Sequence, residues 1–400
     1  MEQTACPDCG PATVSHAIER WNVRADAFFG YISKPAEIVW NVVRPAVAAL
    51  KPGRIAPPLF GLAARLRLGT IVRHPDAQTT DRTRVIWEEA ERRGIAMREF
   101  RPFGLARNIY FASYEGDTRV FDGLPRPRLA NDTAQDWMDD KGIILERFAA
   151  QDIPVPLGKS VTNVAQAEAV FRSIVTARRA DAVIIKPALG SRSRHTYLHL
   201  TTEEAVRNAF AKAKEISPSV AVEEELPGFV FRITLVGGEI AGVMRREPPH
   251  VTGDGTHSVQ ELIDRENKNP LRRGPVFHEL SIDPLVLASQ NLSLTSVPAK
   301  DRMVILHPKV SRAFGASTTE IEAIHPDNCE LFLKIARYVD DPLFGVDFIM
   351  NDMAVSWRKQ RCGVIECNSL PFIDIHHFPL TGPARNVAAK VWYLVFPVRK

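Results

Sequence analysis

The chain has 400 residues, of which 45% are hydrophobic and 24% are charged, which is typical of a soluble globular protein with more than one domain. The formal net charge of +4 is too small to indicate nucleic-acid binding. The sequence contains no apolar run long enough to predict a membrane-spanning helix, and its N-terminus lacks the basic-then-apolar pattern of an export signal. Five cysteines are too few for a disulfide scaffold and favour the reducing cytoplasm.

The N-terminal sequence CPDCG, with Cys6 and Cys9, is similar to one knuckle of a zinc ribbon. A closed zinc site needs four ligands, and the other three cysteines are not spaced as a second knuckle, although His16 is a candidate third ligand. Three interpretations stay open: a metal site, a flexible tail, or a knuckle completed by another subunit. In the last interpretation the other subunit could be a second copy of the chain, so a homo-oligomer is a possible partner arrangement.

Residues 18–73 are apolar, basic and rich in proline, with seven Lys or Arg and one acid between positions 34 and 73. The pattern predicts two short amphipathic helices separated by Pro52 and Pro57-Pro58. These helices either pack on the body of the protein or dock on a membrane surface or a protein partner.

From about Leu68 the sequence pattern changes and predicts a small α/β domain with the order β-α-β-β. The strand LGTIVRHP is followed by a helix whose apolar residues Val85, Ile86 and Ala90 share one face, and Gly94 ends that helix. The stretch NIYFASYEGDTRVFDG then predicts a hairpin.

Helices and strands alternate through the rest of the chain, without internal repeats. Helices are predicted within 133–154 and over 162–176, 202–215, 257–267 and 326–339. Strands are predicted over 182–187, 196–200 and 219–226, in a hairpin over 230–247, and in a closing hairpin with strands 343–350 and 362–371. Residues 270–320 are predicted to be rich in loops.

The sequence IIKPALGSRSRHTYLHL, residues 184–200, predicts two strands joined by a loop that contains two arginines. Lys186 lies near the end of the first strand, which suits either a phosphate contact or an ordinary solvated position. The loop holds less glycine than phosphate loops usually do, so a charged surface turn is the alternative.

Three oxygen-bearing side chains lie in the two closing strands. Glu366 and Asn368 alternate by two and share a face, and Asp347 joins that face if the strands pair. Oxygen ligands of this kind suit Mg²⁺ beside phosphates, and a hydrogen-bonded strand face is the alternative. The sequence VEEELPG, residues 222–228, takes another strand into a turn whose backbone is available to a purine edge.

Together these stretches resemble the ATP-grasp superfamily, in the branch of cyanophycin synthetase and the glutathione-forming ligases, from about Asp140 to Pro379. The stretches that carry the resemblance are DKGIILERFAAQDIPVPLG, VIIKPALG, LHLTTEEAV, VEEELPGFVFRITLVGGEIAGVMRREPPHVTGDGTHSVQELID, HPDN, GVDFI and VIECNSLP.

The resemblance implies a role for each matching residue. Lys141 and Lys186 would bind ATP phosphates, together with the loop residues Gly190, Ser191, Arg192, Ser193 and Arg194. Glu223, with the backbone through Leu226, would lie at the adenine, and Asp347, Glu366 and Asn368 would hold Mg²⁺. Arg232 and Arg246 match arginines near the γ-phosphate or the acyl substrate, and His376 matches a histidine of the family.

The phosphate loop departs from the family pattern. Gly190 matches, but Ser193 and His195 occupy the positions of two further glycines. Glycine lets backbone N–H groups approach phosphate closely, whereas Arg192 and Arg194 bring charge that suits phosphate oxygens. The loop is therefore interpreted as a modified phosphate loop, with a decayed one as the alternative.

Two other departures concern the ribose and the substrate. Val230 replaces an acid that relatives place at the ribose, and Ser311 replaces an asparagine in a substrate-side stretch. The first departure is expected to weaken nucleotide affinity, and the second points to a different substrate.

The resemblance implies an α/β protein with an ATP-grasp fold. The expected domains are a helical, basic N-terminal segment (1–67), a pre-ATP-grasp α/β domain (68–130) and an ATP-grasp domain of two subdomains (131–400). The implied activity is ATP-dependent carboxylate–amine ligation through an acyl phosphate, on amino acids or small peptides. A polymerase is disfavoured because the second ligase domain of such relatives is not in this sequence. The alternative is a catalytically weak ATP-binding protein that docks on a membrane or a partner.

Overall fold

The computed structural model describes residues 52–127, 137–138, 140–177, 180–189, 194–273, 279–310 and 312–397. The predictions for the first 51 residues, including the Cys6–Cys9 knuckle, lie outside the described residues, as do those for residues 190–193 and Ser311. Among the described residues, no helix has both the length and the apolar character needed to cross a lipid bilayer.

The first sheet is antiparallel, has the order β1-β2-β3-β4 and has helices on both faces. Phe60 of the first described helix, α1, packs on one face, while α2 and the late helix α10 share a core with the other face. The strands are β1 (Gly69–Val72), β2 (Ala96–Pro102), β3 (Ile109–Tyr114) and β4 (Asp117–Asp122). The helices are α1 (Pro52–Arg65), α2 (Asp81–Arg92) and α10 (Val387–Val395).

The prediction that prolines separate two short helices near residue 57 is wrong. Helix α1 continues through Pro57 and Pro58. Each proline removes one intrahelical hydrogen bond, because both lie beyond the first four residues, whose N–H groups have no partner within the helix. The stacking of Phe60 on Phe100, with ring centroids 4.5 Å apart, holds the helix on the sheet.

Strand β2 was not predicted, so the order in this part of the chain is β-α-β-β-β. Its buried face includes Glu99 and Arg101, and this charge hid the alternation of a half-buried strand. Arg101 donates to Glu99 and also pairs with Asp76, so the buried charges compensate each other. The predicted hairpin of β3 and β4 is confirmed.

The second sheet is antiparallel, with the order β5-β8-β6-β7. Valines and isoleucines on one face pack against α4 and α5, so the opposite face is left for polar side chains. The strands are β5 (Gly158–Val161), β6 (Val183–Pro187), β7 (Tyr197–Leu200) and β8 (Val220–Glu224). The helices are α3 (Lys141–Ala149), which precedes the sheet, α4 (Val164–Thr176) and α5 (Glu203–Ala213).

The third sheet is antiparallel, has the order β13-β10-β9-β14-β15 and carries different residues on its two faces. One face is apolar and packs on α8 through residues such as Ile233, Val346 and Phe348. The predicted hairpins β9–β10 and β14–β15 are both confirmed. The elements are β9 (Phe229–Val236), β10 (Glu239–Glu247), β13 (Ser317–Glu320), β14 (Leu343–Met350), β15 (Gly363–Asn368) and α8 (Pro326–Val339).

The stretch 270–320 contains more regular structure than predicted. Its short elements form a small core of their own, and the last of them, β13, is an edge strand of the third sheet. Elements this short contain too few residues for a helical or strand periodicity of apolar residues to be detected in the sequence. The elements in and next to this stretch are α6 (Val259–Glu266), α7 (Pro284–Ser289), β11 (His250–Thr252) and β12 (Met303–Ile305), with 3₁₀ turns at Pro270–Arg273 and Arg312–Phe314.

Two helices after the closing hairpin were also not predicted, namely α9 (Asp374–His377) and α10. Helix α9 places the His376 ring on the third sheet at Gly242, where a Cβ atom would lie 2.5 Å from the ring Nδ1. Glycine at this position therefore makes room for the histidine.

We expect Gly242→Ala to destabilise the protein by about 1–3 kcal/mol, because the added methyl group would force the buried His376 ring off the sheet. The free energy of unfolding, measured with urea, tests this. Gly61→Ala in α1 is the control, since a Cβ atom there meets no other atom within 4 Å and alanine favours helix. If Gly242→Ala is as stable as the parent, the absence of a side chain at Gly242 is not needed to accommodate the His376 ring.

Candidate active site

The polar face of the third sheet brings the three predicted metal ligands together. Asp347 of β14 lies directly opposite Glu366 of β15 on one side and opposite Arg232 of β9 on the other. Asn368 lies opposite Gly345, two residues from Asp347 and therefore on the same face. The prediction that the closing strands pair with these side chains on a common face is confirmed.

Asp347 is buried and is held by two arginines. Arg232 binds its carboxylate with two parallel hydrogen bonds, and Arg246 Nη1 lies 3.4 Å from Oδ2. Burial would raise the pKa of Asp347, but the two guanidinium groups hold it below its ordinary value. Asp347 is therefore a stable carboxylate, and both predicted arginines lie beside it.

Two buried donors on this face have no hydrogen-bond partner: Arg232 Nη1 and Asn368 Nδ2. Gly345 separates them, and a Cβ atom there would come within 3.3 Å of Arg232 Nη1. Buried donors without partners are rare and costly. Their position beside Asp347 and Glu366 marks a place where an anionic group would restore the missing hydrogen bonds.

The second sheet contributes Lys186, whose side chain lies on the face turned away from α4 and α5. Its Nζ lies 2.8 Å from the buried Glu223 carboxylate and 3.4 Å from the carbonyl oxygen of Ile365 in the third sheet. Lys186 therefore connects the two sheets next to Glu366. The structure pairs Glu223 with this lysine, and Glu223 Oε1 has no hydrogen-bond partner.

Lys141 reaches the same region from the first residue of α3. Asp140 caps this helix by accepting from Gly142 N, and the Lys141 backbone N–H donates to Ala188 O just after β6. The Lys141 ammonium group lies 3.8 Å from Glu366 Oε1. Both predicted lysines are thus buried beside the predicted metal ligands.

Strand β8 ends at Glu224, two residues earlier than predicted, and Leu226 beyond it lines a cavity of about 540 Å³ together with Glu225, Gly228 and Arg361. Neither of the predicted lysines lines this cavity. The space next to Lys186 is instead filled by its ion pair with Glu223. The geometry places Leu226 at the end of the polar face and Glu223 within it.

Only the end of the predicted phosphate loop lies within the described residues, with Arg194 and His195 in a turn before β7. His195 has a φ of 48°, in the left-handed region that favours glycine. Its buried ring contacts the carbonyl oxygen of Lys212 in α5, with Nδ1 at 2.8 Å. The His195 side chain therefore anchors the turn before β7 to α5.

Arg312 and Asp374 were not predicted as site residues. Arg246 Nη2 donates to Val310 O at 2.8 Å, which brings the following turn to the site. There Arg312 pairs with the fully buried Asp374 at 2.8 Å and stacks over Phe372. Arg312 lies in the stretch HPKVSRAFG and Asp374 lies in DIHHFP. A charged residue among apolar neighbours was the sequence signal that could have identified each of them.

His376 is fully buried beside the site and does not face the predicted metal ligands directly. Its Nδ1 lies 2.7 Å from Glu320 and its Nε2 lies 2.8 Å from the Thr234 hydroxyl. Thr234 is two residues from Arg232 on the same strand face. The histidine therefore ties three strands and α9 together behind the arginine.

The described residues contain no group of three His, Cys, Asp or Glu side chains arranged to hold a metal ion. The predicted trio differs from such a group because it combines two carboxylates with the amide of Asn368. All three offer oxygen, the ligand type that Mg²⁺ takes in proteins.

The chain is similar in sequence to glutathione biosynthesis proteins and to cyanophycin synthetases, although no family model matches it. The chain is 29% identical over 270 residues to a bifunctional glutathione biosynthesis protein of Clostridium perfringens, which covers 65% of this chain and 34% of that protein. It is 30% identical over 256 residues to a cyanophycin synthetase of Synechocystis, which covers 61% and 29% respectively. The chain thus spans about a third of the length of these relatives.

Among solved structures, a bifunctional glutathione synthetase from Pasteurella multocida superposes with a TM-score of 0.57 at 23% identity, covering 79% of this chain and 43% of that one. The predicted ATP-grasp fold is confirmed. The sequence relatives confirm the resemblance to the branch of cyanophycin synthetase and the glutathione-forming ligases.

We expect Glu366→Gln to lower turnover of ATP by about a hundred-fold or more, because a metal ligand that stabilises charge in the transition state supplies several kcal/mol. The substitution keeps the shape of a side chain that is 35% exposed, so the melting temperature should not change. The exposed Glu330→Gln is the control. Near-normal ATP consumption by Glu366→Gln would show that Glu366 does not hold the metal.

Lys186 pairs with Glu223 and is predicted to bind nucleotide, and two variants separate these roles. Lys186→Met should weaken ATP binding about ten- to a hundred-fold and should also destabilise the fold by about 3–5 kcal/mol, because Glu223 is left as a buried, unpaired charge. The double variant Lys186→Met, Glu223→Gln should regain stability without regaining affinity. Calorimetric titration and urea unfolding measure both quantities, and unchanged ATP affinity in either variant contradicts the phosphate role.

Proposed function

We propose that the protein is an ATP-dependent carboxylate–amine ligase that forms an amide bond on amino acids or small peptides. The observation that carries this proposal is the convergence, between two sheets, of Lys141 and Lys186 with the oxygen ligands Asp347, Glu366 and Asn368. The similarity to synthetases of glutathione and cyanophycin supports it. The chain spans only about a third of the length of those proteins, so the proposal does not include their complete activities.

The donor set fits the proposed Mg²⁺. Asp347 and Glu366 bring two carboxylates and Asn368 brings an amide oxygen, all on one face of the third sheet. A carboxylate offers about four acceptor sites, so Asp347 is able to keep Arg232 while it takes a cation. When bound, Mg²⁺ would neutralise charge between the phosphates of ATP.

The cations of the site have distinct proposed roles. Lys186 and Lys141 bind oxygen atoms of the triphosphate, and Arg246 stabilises the charge that develops as a substrate carboxylate attacks the γ-phosphorus. The Arg232 Nη1 donor offers a hydrogen bond to the same γ-phosphoryl group. The resulting acyl phosphate is a better electrophile than a carboxylate, and an amine displaces phosphate from it to leave the amide.

The acyl donor and the amine are identified by assay. The full chain is incubated with ATP, Mg²⁺ and pairs of amino acids or dipeptides, and release of ADP and phosphate is followed. Hydroxylamine serves as a general amine, so an acyl phosphate formed from any accepted acid is trapped as a hydroxamate. The Glu366→Gln variant is the control for contaminating ATPases.

Binding of ATP without turnover for any acid and amine would contradict the ligase proposal. It would favour the second candidate, a catalytically weak ATP-binding protein that docks on a membrane or a partner. Val230, which lies in β9 in place of the family's ribose-binding acid, is the residue that favours it. The cytoplasmic location and a homo-oligomer stay predictions.

The modified phosphate loop gives a further prediction. We expect the double substitution of Arg192 and Arg194 by glutamine to weaken ATP binding, because two positive charges near phosphate are lost while polarity is kept. Turnover should fall further if the contacts tighten in the transition state. Single-turnover kinetics and the dissociation constant for ATP are compared with those of the parent. Identical values for both quantities would mean that the arginines do not contact phosphate.

A further inference from the structure

Helix α1 exposes a row of large apolar side chains to solvent. Ile55, Leu59, Leu62 and Leu66 are 45%, 56%, 53% and 61% exposed. Their spacing of four, three and four residues places them on a single side of the helix and the turn that follows it. Leucines exposed singly are common, but a continuous row on a helix marks an interaction surface.

The opposite side of α1 is already committed to the first sheet. Phe60 stacks on Phe100 and lies 5.7 Å from the ring of Phe111. At the start of the helix, a Cβ atom on Gly53 would lie 1.7 Å from the carbonyl oxygen of Thr118, so the backbones are in close contact. The helix therefore cannot bury its exposed row by rolling over without losing this packing.

A neighbouring loop extends the row. The backbone N–H of Phe103 donates to Leu68 O at 3.0 Å, which places the loop after β2 beside the end of α1. Leu68, Phe103 and Leu105 are 48%, 75% and 55% exposed. We call these seven side chains, four on the α1 side and three here, the apolar surface.

The charged side chains of α1, of the turn that follows it and of the loop 103–107 are all arginines. Arg54, Arg65, Arg67 and Arg107 are exposed at the edges of the apolar surface, and no Asp or Glu occurs in the sequence from residue 38 to residue 75. No carboxylate of the described residues lies within ion-pair distance of these four arginines. Their charge is therefore available to an external partner.

We propose that α1 and the loop 103–107 dock the protein on an anionic lipid surface. Apolar side chains enter the boundary between headgroups and acyl chains, while arginines at the edge bind lipid phosphates and anionic headgroups. A second copy of this chain is a poorer occupant, because pairing two such surfaces brings like charges together. The proposal does not depend on the ligase activity, since the surface lies on the first sheet and not at the candidate active site.

Vesicle binding of the full chain, with residues 1–51 in place, tests the proposal. Vesicles of phosphatidylcholine with phosphatidylglycerol are compared with vesicles of phosphatidylcholine alone, and the partition coefficient is measured by flotation. We expect binding to the anionic vesicles that weakens with salt. Failure of the full chain to bind anionic vesicles, or equal binding to both kinds, overturns the proposal.

Two variants separate the apolar and the electrostatic contributions. Leu59→Ser with Leu62→Ser should weaken partitioning by about ten-fold for each residue removed. Arg54→Gln, Arg65→Gln and Arg67→Gln together should weaken it by about five-fold for each charge, and only on anionic vesicles. The matched control carries Leu285→Ser and Lys359→Gln, which change an exposed leucine and an exposed cation elsewhere in the chain.

Two further measurements distinguish lipid docking from unfolding of a variant and from self-association of the chain. Urea unfolding of each variant shows whether the fold is kept, since the substituted side chains are exposed. Light scattering gives the mass in solution with and without the leucine substitutions. If those substitutions dissociate an oligomer and leave vesicle binding unchanged, the apolar surface joins copies of the chain and the proposal is wrong.

Discussion

The ion pair between Arg232 and Asp347 is the contact on which the polar half of the structure depends. Both side chains are buried in the middle strands of the third sheet, and removal of either partner would leave an uncompensated charge that costs about 3–5 kcal/mol. Lys186 with the buried Glu223 repeats this arrangement at a neighbouring position, whereas Lys141 faces the partly exposed Glu366 at 3.8 Å. The cations that are proposed to bind phosphates are therefore held in place by carboxylates. On that proposal, a metal ion that joins Asp347 and Glu366 leaves more positive charge available to the nucleotide, so cation and nucleotide favour each other's binding.

The two faces of the third sheet explain how so many charges are tolerated in one place. Residues such as Ile233 and Val346 form the core with α8, whereas their neighbours in sequence, Arg232 and Asp347, point the other way. The stability of the sheet thus comes from one face and its chemistry from the other. Gly345 and Gly242 add to this division, because they leave room on the polar face for the Arg232 and His376 side chains.

The hydrophobic pattern predicted the parts of the fold that have a clear period or turn, and the family resemblance supplied the candidate site residues that the third sheet brings together. The hairpin of β9 and β10 was found because its apolar residues flank the turn residues Gly237 and Gly238. Strand β2 was missed because Glu99 and Arg101 are buried, which local pattern does not predict. The same limit applies to Arg312, whose partner Asp374 is 62 residues away. Buried charges are compensated by distant partners, and those partners become visible only when the chain is folded.

His195 has a backbone conformation that usually favours glycine. The left-handed backbone at φ 48° is strained for histidine and costs about 1–3 kcal/mol in a typical case. The buried ring offsets this cost through its contact with Lys212 O and its packing beside Tyr197. The backbone shape that a glycine would allow is thereby kept, but a side chain now fixes the end of the loop to α5. On the proposed function, this anchor limits the freedom of movement at the end of the predicted phosphate loop.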